Sequence, residues 1–239
     1  MSLLRPAAAF IFIAAIPIFL VLTNVRIATT EQRVYEYSFS RYDAEDVTGI
    51  ERSELDRAAS EIIVYFRAGD ADALDIRVVD DGEIVPLFNQ REVLHMRDVR
   101  DLIRATFRLH EIAFVYIVGY IAAVFLWSGE RPMRRLARQA MIAGGATVGV
   151  LAVAAVGVLI GFDSLFTQFH LLSFSNDFWK LSPARDHLIQ MFPQGFWFDV
   201  TLGVGVITIV QGLAILGAGW AYVRWRDAQG ATSSARGVG

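Results

Sequence analysis

The chain has 239 residues, of which 54% are hydrophobic, with a mean hydropathy of +0.42 and a formal net charge of −3. That is too apolar for an ordinary soluble domain, so spanning helices are the first expectation. The absence of cysteine excludes disulfides, thiolate metal sites, a cysteine nucleophile and lipid attachment to a cysteine of the chain itself. Of the 22 basic residues only Lys180 is a lysine, a bias that fits genomic base composition better than function.

The first uncharged stretch, Pro6 to Val25, exceeds the roughly 18 residues needed to cross a bilayer. It is longer than the apolar core of a signal peptide, and Arg26 crowds any cleavage site, so it reads as a retained helix over 6–25. Residues 26–111 form a small α+β domain. Val34 to Phe39 alternates aromatic and polar residues and predicts a strand. Ser53 and Asp56 resemble a capping box for a helix carrying Leu55, Ala59, Ile62, Ile63 and Phe66, stopped at Gly69. Leu74, Ile76 and Val78 alternate with polar residues up to Asp80-Asp81-Gly82. The pattern resumes at Ile84, which predicts a hairpin whose second strand, with Pro86, lies at an edge.

Asn89 and Glu92 form a second capping-box pattern, opening an amphipathic helix to about His110. Met96, Val99, Leu102, Ile103, Thr106 and Phe107 share one sector, and Arg97, Arg100, Arg104 and Arg108 line another. Such a basic face suits a helix lying on a membrane surface, or equally one packed on the small domain with its arginines in water. A spanning stretch follows at 112–129, a basic loop at 130–138 and a third span at 139–162. Within that span Gly145/Gly149 and Gly157/Gly161 have the spacing of close helix packing. Residues 163–199 hold nine Phe or Trp, a density suited to the headgroup region, and Ser182-Pro183 starts a short helix ended by Pro193 to Gly195. The fourth span is 200–223. The remainder, 224–239, reads as a tail, disordered from Gln229.

Arg5, Arg131, Arg134, Arg135, Arg138, Arg224, Arg226 and Arg236 stand against only Glu130 and Asp227 on one side. The positive-inside rule makes that side, with both termini, cytoplasmic. Residues 26–111 and 163–199 then face outward. The fold class is therefore an α-helical membrane protein with four transmembrane helices and a small α+β extracytoplasmic domain between helices 1 and 2.

All four histidines fall in the outward segments. His110 sits at a membrane entry point in a packing position, and His187 on a short exposed helix. His95 lies at the edge of the apolar sector with Asp98 one turn on. His170 leads into Asn176-Asp177. Both can sit at the water–lipid boundary near a carboxylate, where an imidazole is tuned for proton transfer. A lone histidine is more often structural, and the same chain is compatible with a non-enzymatic multi-pass protein whose outer domain binds a partner. An outer-leaflet hydrolase or transferase acting on other lipids is a third reading. There is no G-x-S-x-G, Walker loop or H-E-x-x-H, and two histidines 75 residues apart specify no metal geometry. Within the spans the notable polar group is Gln211, placed for a helix–helix hydrogen bond rather than an ion path.

Phe88-Asn89-x-Arg91-Glu92-x-x-His95-Met96-x-Asp98-Val99 resembles a signature of the lipoprotein intramolecular transacylase family. So do Phe169-His170, Phe174-x-Asn176-Asp177-x-Trp179, Met191-Phe192-Pro193 and Phe196-x-x-Asp199. The chain departs from the expected pattern at Arg100, in place of lysine, and at Gln194, in place of an acid; residues 40–85 carry no resemblance. The resemblance implies a bacterial plasma-membrane enzyme that needs no cofactor or metal. It would move the sn-2 acyl chain of a diacylglyceryl-cysteine lipoprotein to that lipoprotein's own N-terminal amine. It also implies His95 and His170 as the reactive pair, supported by Glu92, Asp98, Asn176 and Asp177, with Arg91, Arg97, Arg100 and Arg104 as candidates for lipid headgroups. Partners are then a diacylated lipoprotein N-terminus and membrane lipid, with no nucleic acid. For His95 to reach a lipid ester, the helix from Asn89 must lie down, with a turn near Leu109 to Ile112.

Overall fold

The computed structural model describes residues 4–67, 74–80, 82–127 and 132–236, with side chains through residue 229. Gly69, Asp81, Glu130 and Arg131 lie outside these, as does the side chain of Arg236. The described elements are α1 (Leu4–Thr30), α2 (Gln32–Arg41), α3 (Ala44–Thr48), α4 (Arg52–Arg67), β1 (Arg77–Asp80), β2 (Glu83–Pro86), α5 (Gln90–Trp127), α6 (Pro132–Ser173), α7 (His187–Met191) and α8 (Gln194–Arg236). Helices α1, α5, α6 and α8 are long and apolar enough to cross a membrane, and the protein is a multi-pass membrane protein. The chain forms two compact units.

The first unit comprises Met1–Asn24, Leu109–Ala155 and Val204–Gly239. Phe12 stacks on Tyr120 at 4.5 Å and packs with Ile16, Val124 and Ala143. Several polar groups here pair between helices, as apolar surroundings favour. Asn24 Nδ2 donates to Thr208 Oγ1 at 2.9 Å and to Gln211 Oε1 at 2.8 Å, and Gln139 Nε2 donates to the Tyr120 hydroxyl at 2.8 Å. His110 stacks on Phe19 at 4.8 Å with Nε2 2.9 Å from Thr23 Oγ1, a packing role. Close helix approach falls on glycines other than those the spacing suggested. A Cβ on Gly144 would stand 2.6 Å from the Gly212 carbonyl, and one on Gly219 2.9 Å from the Ala137 carbonyl. Gly145, Gly149 and Gly161 have nothing within 4 Å of that position. The i, i+4 pattern marks small faces, but which face meets α8 is decided by helix rotation.

The second unit comprises Val25–Arg108 and Val156–Gly203. Its core is α4, which buries Leu55, Ala58, Ala59, Ile62, Ile63 and Phe66 at helical spacing. The stretch expected to be a strand, 34–39, lies instead in helix α2. It buries Tyr35, Ser38 and Phe39, at i, i+3 and i+4, and Tyr37 turns outward. Ser38 hides the helical period because it is polar, yet it is fully buried, its hydroxyl donating to the Met191 carbonyl at 2.7 Å. Helix α4 begins at Arg52, and Asp56 pairs with that arginine at 2.9 Å. The hairpin forms as expected: β1 and β2 are antiparallel, Arg77 lies opposite Pro86, and Gly82 takes the left-handed conformation (φ 82°) that the turn needs.

Three further expectations are corrected. Helix α5 runs without interruption from Gln90 to Trp127, with no turn at 109–112, because neither glycine nor proline stands there to break it. The short helix expected from Ser182 begins at His187 after a turn. Helix α8 continues to Arg236, into the segment read as disordered.

Candidate active site

The start of α5 is built as a reciprocal cap. Asn89 Oδ1 accepts the backbone N–H groups of Arg91 (2.9 Å) and Glu92 (3.1 Å), and Glu92 Oε2 accepts the Asn89 N–H at 2.8 Å. The other Glu92 oxygen, Oε1, accepts the Leu188 N–H at 2.7 Å, so this buried carboxylate joins α5 to α7. Burial raises the pKa of Glu92, and the two N–H donors oppose the rise. Asn89 Nδ2 donates to Asp186 Oδ1 at 2.9 Å, Asp186 Oδ2 accepts the Ser182 N–H at 2.6 Å, and His187 Nδ1 lies 2.7 Å from the Leu87 carbonyl. The aromatic-rich segment is thereby laced to the first turn of α5. His95 follows one turn later.

His170 comes from the last turn of α6, beyond the kink at Gly161, where φ −153° and ψ 48° leave helical geometry. The two imidazoles, 75 residues apart in sequence, face each other with ring centroids 6.0 Å apart at 35°. Both are buried, and both lie outside the uncharged stretches 112–129 and 139–162. Phe174 meets His95 edge-on at 5.3 Å. Phe166 (4.3 Å), Trp179 (4.9 Å) and Phe169 (5.3 Å) surround His170. His170 Nδ1 lies 2.7 Å from the Phe166 carbonyl, which accepts only from an N–H. That fixes the proton on Nδ1 and leaves Nε2 as a free lone pair.

Burial in this apolar cage disfavours the charged form of each ring. It pushes His95 down to about 4, aided by the proximity of His170 and opposed by the Asp98 charge. His170 is lowered for the same first reason, against the hydrogen bond to Phe166. Both rings are therefore neutral near pH 7. His95 Nδ1 is buried with no partner among the described residues.

Of the residues expected to support the pair, Asp98 and Asn176 come together: Asn176 Nδ2 donates to Asp98 Oδ2 at 2.8 Å, while Asn176 Oδ1 accepts the Phe178 N–H at 3.0 Å. Glu92 braces the scaffold. Asp177 does not approach either histidine through its carboxylate, which pairs with Lys180 at 2.8 Å; its carbonyl accepts from Arg91 Nη2 at 2.6 Å. Arg100 is buried, with its guanidinium over the Tyr65 ring at 4.7 Å, a packing position. Arg97 is exposed and Arg104 half-buried. Among the described residues no three His, Asp or Glu side chains group as metal ligands would. The aromatic cage of Phe166, Phe174 and Trp179 was not read as part of the site from spacing, although Phe166 stands one turn before His170.

The fold has solved counterparts. The chain is similar to the in meso structure of the membrane integral lipoprotein intramolecular transacylase Lit from Bacillus cereus, with a TM-score of 0.80 and 15% identity, over 96% of this chain and all of that one. A variant of that protein with a histidine replaced by arginine matches at a TM-score of 0.74 over 94% of each chain. An uncharacterized protein from Aquifex aeolicus (strain VF5) is 27% identical over 139 residues, and the match spans about half of that relative (56%). The family model described as lipoprotein intramolecular transacylase Lit matches residues 10–197, most of the chain, with both histidines inside the match. The chain belongs to the lipoprotein intramolecular transacylase family.

Proposed function

We propose that this protein moves the sn-2 acyl chain of a diacylglyceryl-cysteine lipoprotein to the lipoprotein's own N-terminal amine, giving the lyso form. The observation that carries the reading is the pairing of His95 and His170 at 6.0 Å within an apolar cage. Amine and ester belong to one substrate molecule, so orientation alone supplies effective molarities on the order of 10⁵ M or more and no enzyme nucleophile is needed. What remains is to move one proton and to stabilise an oxyanion.

His170 is the base. The neutral amine attacks the ester carbonyl, His170 Nε2 takes the N–H proton, and the tetrahedral oxyanion collapses. The glycerol oxygen leaves and recovers that proton from His170, so a C–N bond replaces a C–O bond with no net proton change. His95, neutral because of its burial, polarises the reacting group as a hydrogen-bond donor through Nε2 and is not a full acid. The Asp98 charge acts on His95 electrostatically, and Asn176 holds Asp98.

Reaching the site does not need the turn in α5. Leu165, Phe169 and Leu172 are exposed on the segment of α6 that carries His170, an apolar surface on which an acyl chain can lie. The arginine bias supports cytoplasmic termini and a site on the outer face. Arg91, Arg97 and Arg104 are the arginines left to meet lipid phosphate.

The test is mass spectrometry of lipoprotein N-termini in a host that retains diacylated lipoproteins. The wild-type chain should convert them to the lyso form. His95→Asn and His170→Asn should not, although both accumulate in the membrane. Full conversion by both variants would refute the assignment.

A further inference from the structure

We infer that the indole N–H of Trp179 is the hydrogen-bond donor to the oxyanion that forms on the reacting ester carbonyl, an inference resting on the acyl-transfer reading above. Trp179 lies against His170, ring centroids 4.9 Å apart and 32° from parallel. Its Nε1 is buried and has no partner among the described residues. Indole nitrogen is a donor only, so nothing but an incoming acceptor can satisfy it. Buried donors are almost always paired, and an orphan beside a reactive base calls for an explanation.

The contrast within the same segment is direct. Trp197 Nε1 donates to the Phe192 carbonyl at 3.1 Å, a tryptophan satisfied by its own fold. Asn176, implied by the resemblance as a support of the pair, is anchored by its own fold, one Nδ2 hydrogen donating to Asp98 and Oδ1 accepting the Phe178 N–H. Of the buried unpaired polar atoms, His95 Nδ1 and Trp179 Nε1 are the two on rings packed around the histidine pair, and of these two only the indole nitrogen is a donor in every protonation state.

In the reaction the amine nitrogen bonds to the carbonyl carbon and the carbonyl π pair moves to oxygen. Trp179 donates a hydrogen bond there without giving up its proton. His170 carries the amine proton to the departing glycerol oxygen. Trp179 thus acts only while negative charge is present, so its loss lowers kcat rather than raising KM.

The experiment measures transfer in a synthetic diacylglyceryl-cysteine lipopeptide with a free amine, in micelles, by the full chain and its variants. Trp179→Phe keeps an aromatic ring beside His170 and removes the donor together with part of the indole's volume. It should lower kcat on the order of 10²- to 10³-fold with KM within about threefold, the usual effect of losing one oxyanion donor. Any fall in apparent Tm should be the modest one expected for a smaller ring, because the deleted donor had no partner to lose. Trp179→His restores a ring N–H and should run at least about tenfold faster than Trp179→Phe. A Trp179→Phe enzyme within about threefold of wild type in kcat overturns the donor role, as does equal loss in Trp179→Phe and Trp179→His. In those cases inactive His95→Asn and His170→Asn leave acyl transfer standing, whereas a wild-type chain that converts no lipopeptide removes both.

Discussion

Asn176 reaches from the aromatic segment to α5 and donates to Asp98 at 2.8 Å, one helical turn after His95. The same amide accepts the Phe178 N–H, so a single side chain fixes both the loop and the carboxylate whose charge favours protonation of His95. Asn176→Ala should therefore slow transfer by about 10-fold without abolishing it, the scale of one net hydrogen bond to a charged group. Initial rates on the lipopeptide check this, and a loss as complete as that of His170→Asn would show Asn176 touching the reacting atoms.

Acid should weaken both fold and activity through the two imidazoles. Unfolded His95 binds its proton near pH 6.5 and folded His95 only at about 4. Between those values the unfolded state holds more protons, so stability is complete above pH 6.5 and falls as pH drops toward 4, by up to about 3 kcal/mol from this group. His95→Phe should flatten that part of a Tm-versus-pH curve. His170 is also shifted down, so its free lone pair persists at pH 6.5 and its own acid limb lies below that value, apart from the limb of the substrate's α-ammonium at about 8. A His170 limb above pH 6.5, resolved from that of the amine, contradicts a desolvated base.

Glu92 binds two backbone N–H groups with two oxygens. Glutamine offers one oxygen and one NH₂, so Glu92→Gln leaves a donor facing a donor at the junction of α5 and α7. The expected cost is about 1–3 kcal/mol, read as a lower Tm in detergent. Catalysis per folded molecule should survive if the role is that of a brace.

Two neighbouring glycines should behave oppositely. Gly144→Ala places a methyl group 2.6 Å from the Gly212 carbonyl and 2.9 Å from the Leu216 nitrogen, so α6 and α8 must separate, at a cost of about 1–3 kcal/mol. Gly145→Ala meets nothing within 4 Å and removes a flexible residue from a helix, so Tm should hold or rise. Thermal unfolding of the pair decides which face of α6 is packed.

The sequence carried the spans, the hairpin, the cap at Asn89 and the two histidines, because each rests on local periodicity or hydropathy. It misread residues 34–39, where buried Ser38 replaces an apolar residue and the helical repeat looks like alternation. It placed Arg100 with its exposed neighbours, since no pattern in α5 reveals that Tyr65 from α4 waits beneath it. The donor state of His170 was equally hidden. It depends on the Phe166 carbonyl one turn back on α6, and no residue type records a carbonyl.

The rings packed on His170 also govern what else could claim the ester. Aminolysis and hydrolysis share the same carbonyl and the same base, and they differ in which nucleophile is admitted. With Phe166, Phe169 and Trp179 against the imidazole and Phe174 against both histidines, an enclosure of carbon surface surrounds the nitrogen that would activate a water. In the proposed transfer, enclosure of this kind would bias the partition toward the tethered amine, keeping the acyl chain on the lipoprotein instead of shedding it as free fatty acid.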